Sequence, residues 1–307
     1  LDTFNYENQY QLIASNNYGF GFQSWLSPGY VLLCRIVAFF SKGNYVVLLF
    51  VVAALTFAIL FASIYQNSCS PVFSIYLYIC TALFFQTMNQ SRQMLAISLV
   101  AYSYRYIKTR NFPKFLILVL MAASIHASAI IFLPVYPISK IPFNKKVMTS
   151  YFFAFAAVYL FYPFIQRLLM KTSYGASYFG SVYDIEAKSS AVLNLLFRML
   201  LFLSTLFFLN KTKKANPQIG ILYHIMACCV LIQALTIRSY VFGRVTTYFF
   251  IYIIFLLPEI VHSMESRERK LLVGAAVAAS FAFYFFYRTS FDYMSSNKWL
   301  DYKFFCQ

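Results

Sequence analysis

The chain has 307 residues, of which 61% are hydrophobic, 21% aromatic and only 11% charged. Soluble domains are roughly 45–50% apolar and about 25% charged, so a soluble fold, which could not hide so much apolar surface, is excluded. The 25 Lys+Arg against 9 Asp+Glu give +16; most of that excess sits in short loops between apolar runs, where it orients a membrane protein rather than binding nucleic acid.

In chain order, residues 1–27 read as an extracytoplasmic segment. The chain opens at Leu1, without an initiator Met or a signal-peptide pattern, as a piece of a longer protein would. Segment 28–41 is apolar but short, and Arg35 and Lys42 predict a shallow position at the outer surface. Apolar runs at 45–65, 71–88, 93–107, 148–170, 191–210, 218–237, 244–262 and 270–287 approach or reach the roughly 20 residues needed to cross about 30 Å of hydrocarbon. With 28–41 and 113–138 this makes about 8–10 membrane segments. The runs are continuous rather than alternating, which argues against a β-barrel. The predicted fold is an all-α polytopic membrane helix bundle over 28–287, with an external loop at 171–190 and an extracytoplasmic tail at 288–307.

Four loops hold thirteen of the 25 basic residues: "RYIKTRNFPK" (105–114), "KIPFNKK" (140–146), "KTKK" (211–214) and "RERK" (267–270). All four should be cytoplasmic. The first two flank the single segment 113–138, so a plain span there would place one of them outside. The segment is therefore expected to enter, break near "SIHASA" (124–129), and return. Each arm would hold about 12 residues, too few to span, and the broken backbone would need protein or a watery cavity beside it. His126 falls near the tip.

With that topology, the external side collects "QTMNQSRQMLAIS" (86–98). Asn89, Arg92, Gln93 and Ala96 stand at i, i+3, i+4 and i+7, one face of a helix, and an arginine facing lipid would cost several kcal/mol. Arg244 opens the span after "RSYVFGR" (238–244), with Thr247 and Tyr248 on its face, and Arg238 lies six residues earlier. Guanidinium forks match phosphate oxygens in pairs, so these arginines point to an anionic lipid phosphate or diphosphate. His126 has the titration range of a general base. Tyr174 and Tyr178 in the loop 171–190 suit stacking on sugar rings, or an ordinary interfacial position. His224 and His262 read as a helix–helix hydrogen bonder and an interfacial residue. Six cysteines and three histidines show no metal spacing, and the few acids define no carboxylate pair.

The chain resembles the EpsG family, the Wzy-like polymerases of exopolysaccharide, capsule and O-antigen. The resemblance rests on "DTFNY" (2–6), "SPGYVLL" (27–33), "NQSRQMLA" (89–96), "KFLILVLMAASIHASAIIFLP" (114–134) and "GRVTTYF" (243–249), in the family's order. It implies a GT-C-like glycosyltransferase in the cytoplasmic (inner) membrane with an extracytoplasmic active site. Such an enzyme moves a growing glycan from a polyprenyl (undecaprenyl) diphosphate carrier onto another lipid-linked repeat unit. Neither metal nor other cofactor is implied. The partners would be a lipid-linked oligosaccharide donor and acceptor, membrane lipid, and a chain-length regulator. By this similarity Arg92 and Arg244 fall on the family's arginines and His126 on its histidine. Asp2 and Tyr6 fall on its D-x-x-x-Y element, Asp2 as a candidate catalytic acid and Tyr6 as a substrate contact. Arg92, Arg244 and Arg238 would hold the diphosphate, His126 would take the acceptor's proton or orient its hydroxyl, and Gln93, Asn89, Tyr248, Tyr174 and Tyr178 would serve the sugars. Two departures stand out: the family's further upstream span is missing, and Ser27 stands where the family often has an acid. A lipid-linked sugar flippase and an O-antigen ligase-type enzyme would want similar arginines.

Overall fold

The computed structural model describes residues 2–15, 28–172, 189–239 and 241–294, and the side chains of 7–15, 28–172, 191–239 and 241–290. Most of the tail 288–307 and of the loop 171–190 therefore lies outside the described residues. The chain is an all-α multi-pass membrane protein, with no strand among the described residues. Its helices are α1 (Asp2–Ala14), α2 (Pro28–Ser41), α3 (Tyr45–Asn67), α4 (Pro71–Cys80), α5 (Leu83–Asn89), α6 (Ser91–Lys108) and α7 (Phe112–Ile125). After a 3-10 turn at Ala127–Phe132 come α8 (Val135–Ile138), α9 (Lys145–Leu160), α10 (Tyr162–Met170), α11 (Ser189–Leu206), α12 (Leu209–Ala215), α13 (Gly220–Leu235), α14 (Val241–Phe250), α15 (Ile253–His262) and α16 (Arg267–Met294). Asparagine caps set several starts: the side chains of Asn44, Asn111 and Asn144 accept from the backbone N–H of Val46, Lys114 and Val147, satisfying donors that a helix start leaves open.

Among the described residues, four helical stretches are long and apolar enough to cross a membrane, and up to seven if each bent pair counts as one span. Three predicted spans are not straight. The 71–88 run bends by 62° at Thr81–Ala82, where Ala82 takes a left-handed φ of 61°; the 148–170 run bends by 67° between α9 and α10, and the 191–210 run by 60° between α11 and α12. Pro163 at the start of α10 fits one of these breaks, because its ring cannot continue the preceding helix. The run 93–107, here α6, falls short on apolarity. It is buried along nearly its whole length between α3 and α7. A helix surrounded by protein can carry polar groups that lipid would exclude.

The segment 113–138 folds back on itself, as the charge distribution requires. Helix α7 ends at His126, whose backbone is extended (φ −147°, ψ 109°), and the following turn and α8 return along it. The two ends meet: the Arg110 guanidinium donates to Ser139 Oγ at 3.0 Å and to its carbonyl oxygen at 3.1 Å. Between them Tyr136 packs on Phe112 and Phe115, with ring centroids 5.0 and 5.2 Å apart.

All four basic loops gather at the end of the bundle where that hairpin closes. Gln218 donates to the Lys108 carbonyl at 3.1 Å, and Lys213 donates to the Phe143 carbonyl. Arg105 bonds Gln66, and three residues further on Cys69 shares a groove with Lys270. The start of α6, the tip of the hairpin and the start of α14 lie at or toward the opposite end.

Candidate functional site

The predicted polar stretch is built by a break. The helix stops at Asn89, Gln90 takes φ −111° and ψ 47°, and α6 starts afresh at Ser91. Asn89 therefore does not share a continuous helical face with Arg92, Gln93 and Ala96, because it belongs to α5; the three others share α6. Arg92 is buried, 8% exposed, and its guanidinium carbon lies 5.4 Å from the centroid of the Tyr30 ring on α2, a cation–π distance. Gln93 Nε2 donates to the Arg244 carbonyl at 2.7 Å, tying α6 to α14.

Among the described residues, the buried side-chain oxygens of Gln86, Asn89, Gln90 and Gln93 have no hydrogen-bond partner. Leaving one such group unsatisfied costs roughly 1–3 kcal/mol, and native proteins keep few of them. Four such oxygens lie within eight residues.

His126 sits at the hairpin tip, 5% exposed, and its Nε2 is likewise buried without a partner. Its N–H donates to the Ala122 carbonyl at 2.8 Å, which fixes the backbone of the tip. Gln93, next to Arg92, bonds the Arg244 carbonyl, and Ser128, two residues past His126, bonds Tyr248, one turn past Arg244, so the segments that carry the three residues meet. Beside them Ser128 Oγ donates to Tyr248 OH at 3.2 Å, joining the returning arm of the hairpin to α14. The close approach of α2 to α7 here depends on Gly29: a Cβ there would stand 2.3 Å from Ser124 Oγ and 2.9 Å from the Ser124 carbonyl oxygen.

On its other side Arg244 lines a cavity of about 100 Å³. Arg198 from α11 and Arg288 from α16 reach the same space, together with Gln86, Gln90, Asn194 and Gln233. Arg198 donates to Gln233 Oε1 at 2.5 Å and lies 4.3 Å from the centroid of the Phe250 ring; Arg288 donates to Asn194 Oδ1 at 3.2 Å. No sequence motif singles out Arg198 or Arg288. Arg198 stands in the middle of the apolar run 191–210, and an ionisable residue inside a span is itself a functional signal.

The other predicted residues are placed as follows. Arg238 is exposed, its guanidinium 4.7 Å from the centroid of the Tyr159 ring, and it does not line the cavity. Asp2 and Tyr6 have their backbone on α1, with side chains outside the described set, and Tyr174 and Tyr178 lie outside the described residues altogether. His224 is satisfied on both ring nitrogens, by Tyr151 OH and the Ile141 carbonyl oxygen at 2.8 Å each. No group of three or more His, Cys, Asp or Glu among the described residues could hold a metal ion.

A protein-family model matches residues 1–304, and its description is the EpsG family. No curated protein and no solved structure matches the chain.

Proposed function

The chain belongs to the EpsG family of Wzy-like polymerases, and from that premise we propose that it joins polyprenyl-diphosphate-linked oligosaccharide repeat units into a surface polysaccharide. The family supports an exopolysaccharide polymerase-type function in general. The proposed reaction takes place on the extracytoplasmic side of the inner membrane, because the basic loops at the opposite end of the bundle favour the cytoplasm. An acceptor hydroxyl oxygen attacks the anomeric carbon of the donor sugar. The new bond joins that carbon to the acceptor oxygen, and the bond to the diphosphate oxygen breaks with its electron pair. The acceptor's proton passes to His126 Nε2, and polyprenyl diphosphate leaves.

Each group has a physical reason to take its role. Preorganised positive charge from Arg92 and Arg244 stabilises the leaving diphosphate, and one such donor is typically worth about 10²–10³ in rate. A positioned base contributes about 10²–10⁴. Gln93, Asn89 and Tyr248 stand near these groups and are suited to sugar hydroxyls. The observation that carries this reading is the partnerless Nε2 of His126, buried at the hairpin tip, where the returning arm bonds the helix of Arg244. Arg92→Ala or Arg244→Ala should abolish polymer in cells while leaving the protein in the membrane. Full-length polymer from either variant overturns the assignment.

A further inference from the structure

Arg92, His126 and Arg244 leave one wall of the cavity without a role. That wall is made by α11 and α16, which contribute Arg198 and Arg288. The described contacts between these helices are few. Phe197 stacks on Tyr284 with ring centroids 4.2 Å apart, Phe197 meets Phe281 at 6.3 Å, and Arg288 bonds Asn194. Their outer faces are apolar and exposed, with Leu196 and Leu200 on α11 and Phe283 and Phe286 on α16. Two guanidinium groups thus stand directly behind a thin aromatic seam between helices that face lipid.

That arrangement suits an amphiphile whose anionic head sits inside the protein while its long apolar tail stays in the bilayer. Guanidinium groups on three different helices can share the oxygens of one diphosphate from several directions. The partnerless oxygens of Gln86 and Gln90 line the same space and would accept from hydroxyls of the first sugar. The geometry points to a seat for a polyprenyl diphosphate behind the α11–α16 seam, with Arg198 and Arg288 joining Arg244 on the diphosphate and the isoprenoid tail leaving between α11 and α16, where the stacked Phe197 and Tyr284 rings part to let it through. This deepens the reading of the chain as a polymerase and rests on it for the identity of the lipid. It adds two anion-binding residues and a route to the membrane.

The test is photolabelling of the purified full chain in nanodiscs, using a polyprenyl diphosphate with a diazirine in its tail. Adducts are mapped by peptide mass spectrometry. They should fall on α11 and α16 along the seam, and unlabelled polyprenyl diphosphate should compete them away. Arg198→Gln and Arg288→Gln should each cut labelling at least tenfold. Adducts concentrated on other helices, such as α2 or α3, overturn the seat; the wild-type map decides this even if a variant fails to fold. Labelling unchanged in both folded variants also overturns it. Seam labelling without glycan polymerisation would sink the polymerase reading and leave the lipid seat standing; polymerisation with adducts elsewhere would do the reverse.

Discussion

Replacing Gly29 by alanine tests whether the contact between α2 and α7 sets the geometry of the site. The added Cβ would lie 2.3 Å from Ser124 Oγ, 2.9 Å from the Ser124 carbonyl oxygen and 3.0 Å from its carbonyl carbon. The hydroxyl, which donates to the Met121 carbonyl at 2.7 Å, can turn away. The carbonyl belongs to the backbone of α7 and cannot. Carbon and oxygen in comfortable contact sit roughly 3.3–3.6 Å apart, so the helices must part by about half an ångström or more. Overpacking of this kind costs about 1–3 kcal/mol. Tyr30 moves with α2, away from Arg92, and His126 stays with α7, so the displacement opens between candidate groups. A misplacement of about 1 Å can cost about 10²-fold in rate. The Gly29→Ala protein should therefore polymerise some 10- to 100-fold more slowly, and a second change, Ser124→Ala, should not restore the rate, because the backbone carbonyl of residue 124 remains in the way. Polymerisation rate is read from purified protein and stability from thermal unfolding in detergent. A Gly29→Ala protein with the wild-type rate would refute the reasoning.

Three further outcomes follow from the same geometry. His126→Gln should lower the polymerisation rate by about 10²–10⁴, with binding of polyprenyl diphosphate retained; loss of binding in step with rate would mean a purely structural role. His224→Ala should destabilise by about 1–3 kcal/mol, since Tyr151 OH and the Ile141 carbonyl lose their buried partner; thermal unfolding measures this, and unchanged stability contradicts it. A cysteine at Lys145, in a background without native cysteines, should react with a membrane-impermeant thiol reagent only from the cytoplasmic side, and labelling from outside in intact cells would invert the topology.

The membrane class could be read in the sequence because the apolar runs are long, and the runs 45–65 and 218–237 end within two residues of observed helical stretches. The hairpin at 113–138 was legible by a different route, from charge alone: loops 105–114 and 140–146 could not both stay on one side otherwise. The bends within 71–88, 148–170 and 191–210 were not legible, since an apolar run looks the same whether its helix is straight or broken. For the same reason Asn89 was assigned to the helix of Arg92. The neighbourhood of Arg92, Arg244 and His126 followed from three motifs far apart in sequence, but Arg198 was hidden within the span 191–210, and Arg288 fell in the expected tail 288–307, into which α16 continues. The lone arginine in "NLLFRMLLF" was the signal available for one of them. Arg238, by contrast, was placed with Arg244 on sequence proximity, while its side chain turns outward to Tyr159.

The central claim, that this chain links lipid-borne repeat units into a polymer, is tested most directly by incubating the purified protein with one lipid-linked repeat unit and resolving the products by size. The account predicts a ladder whose steps differ by one repeat, formed without a nucleotide sugar, and absent with Arg244→Ala. A single discrete product, or relocation of the lipid across a vesicle membrane without any new glycosidic bond, would contradict it.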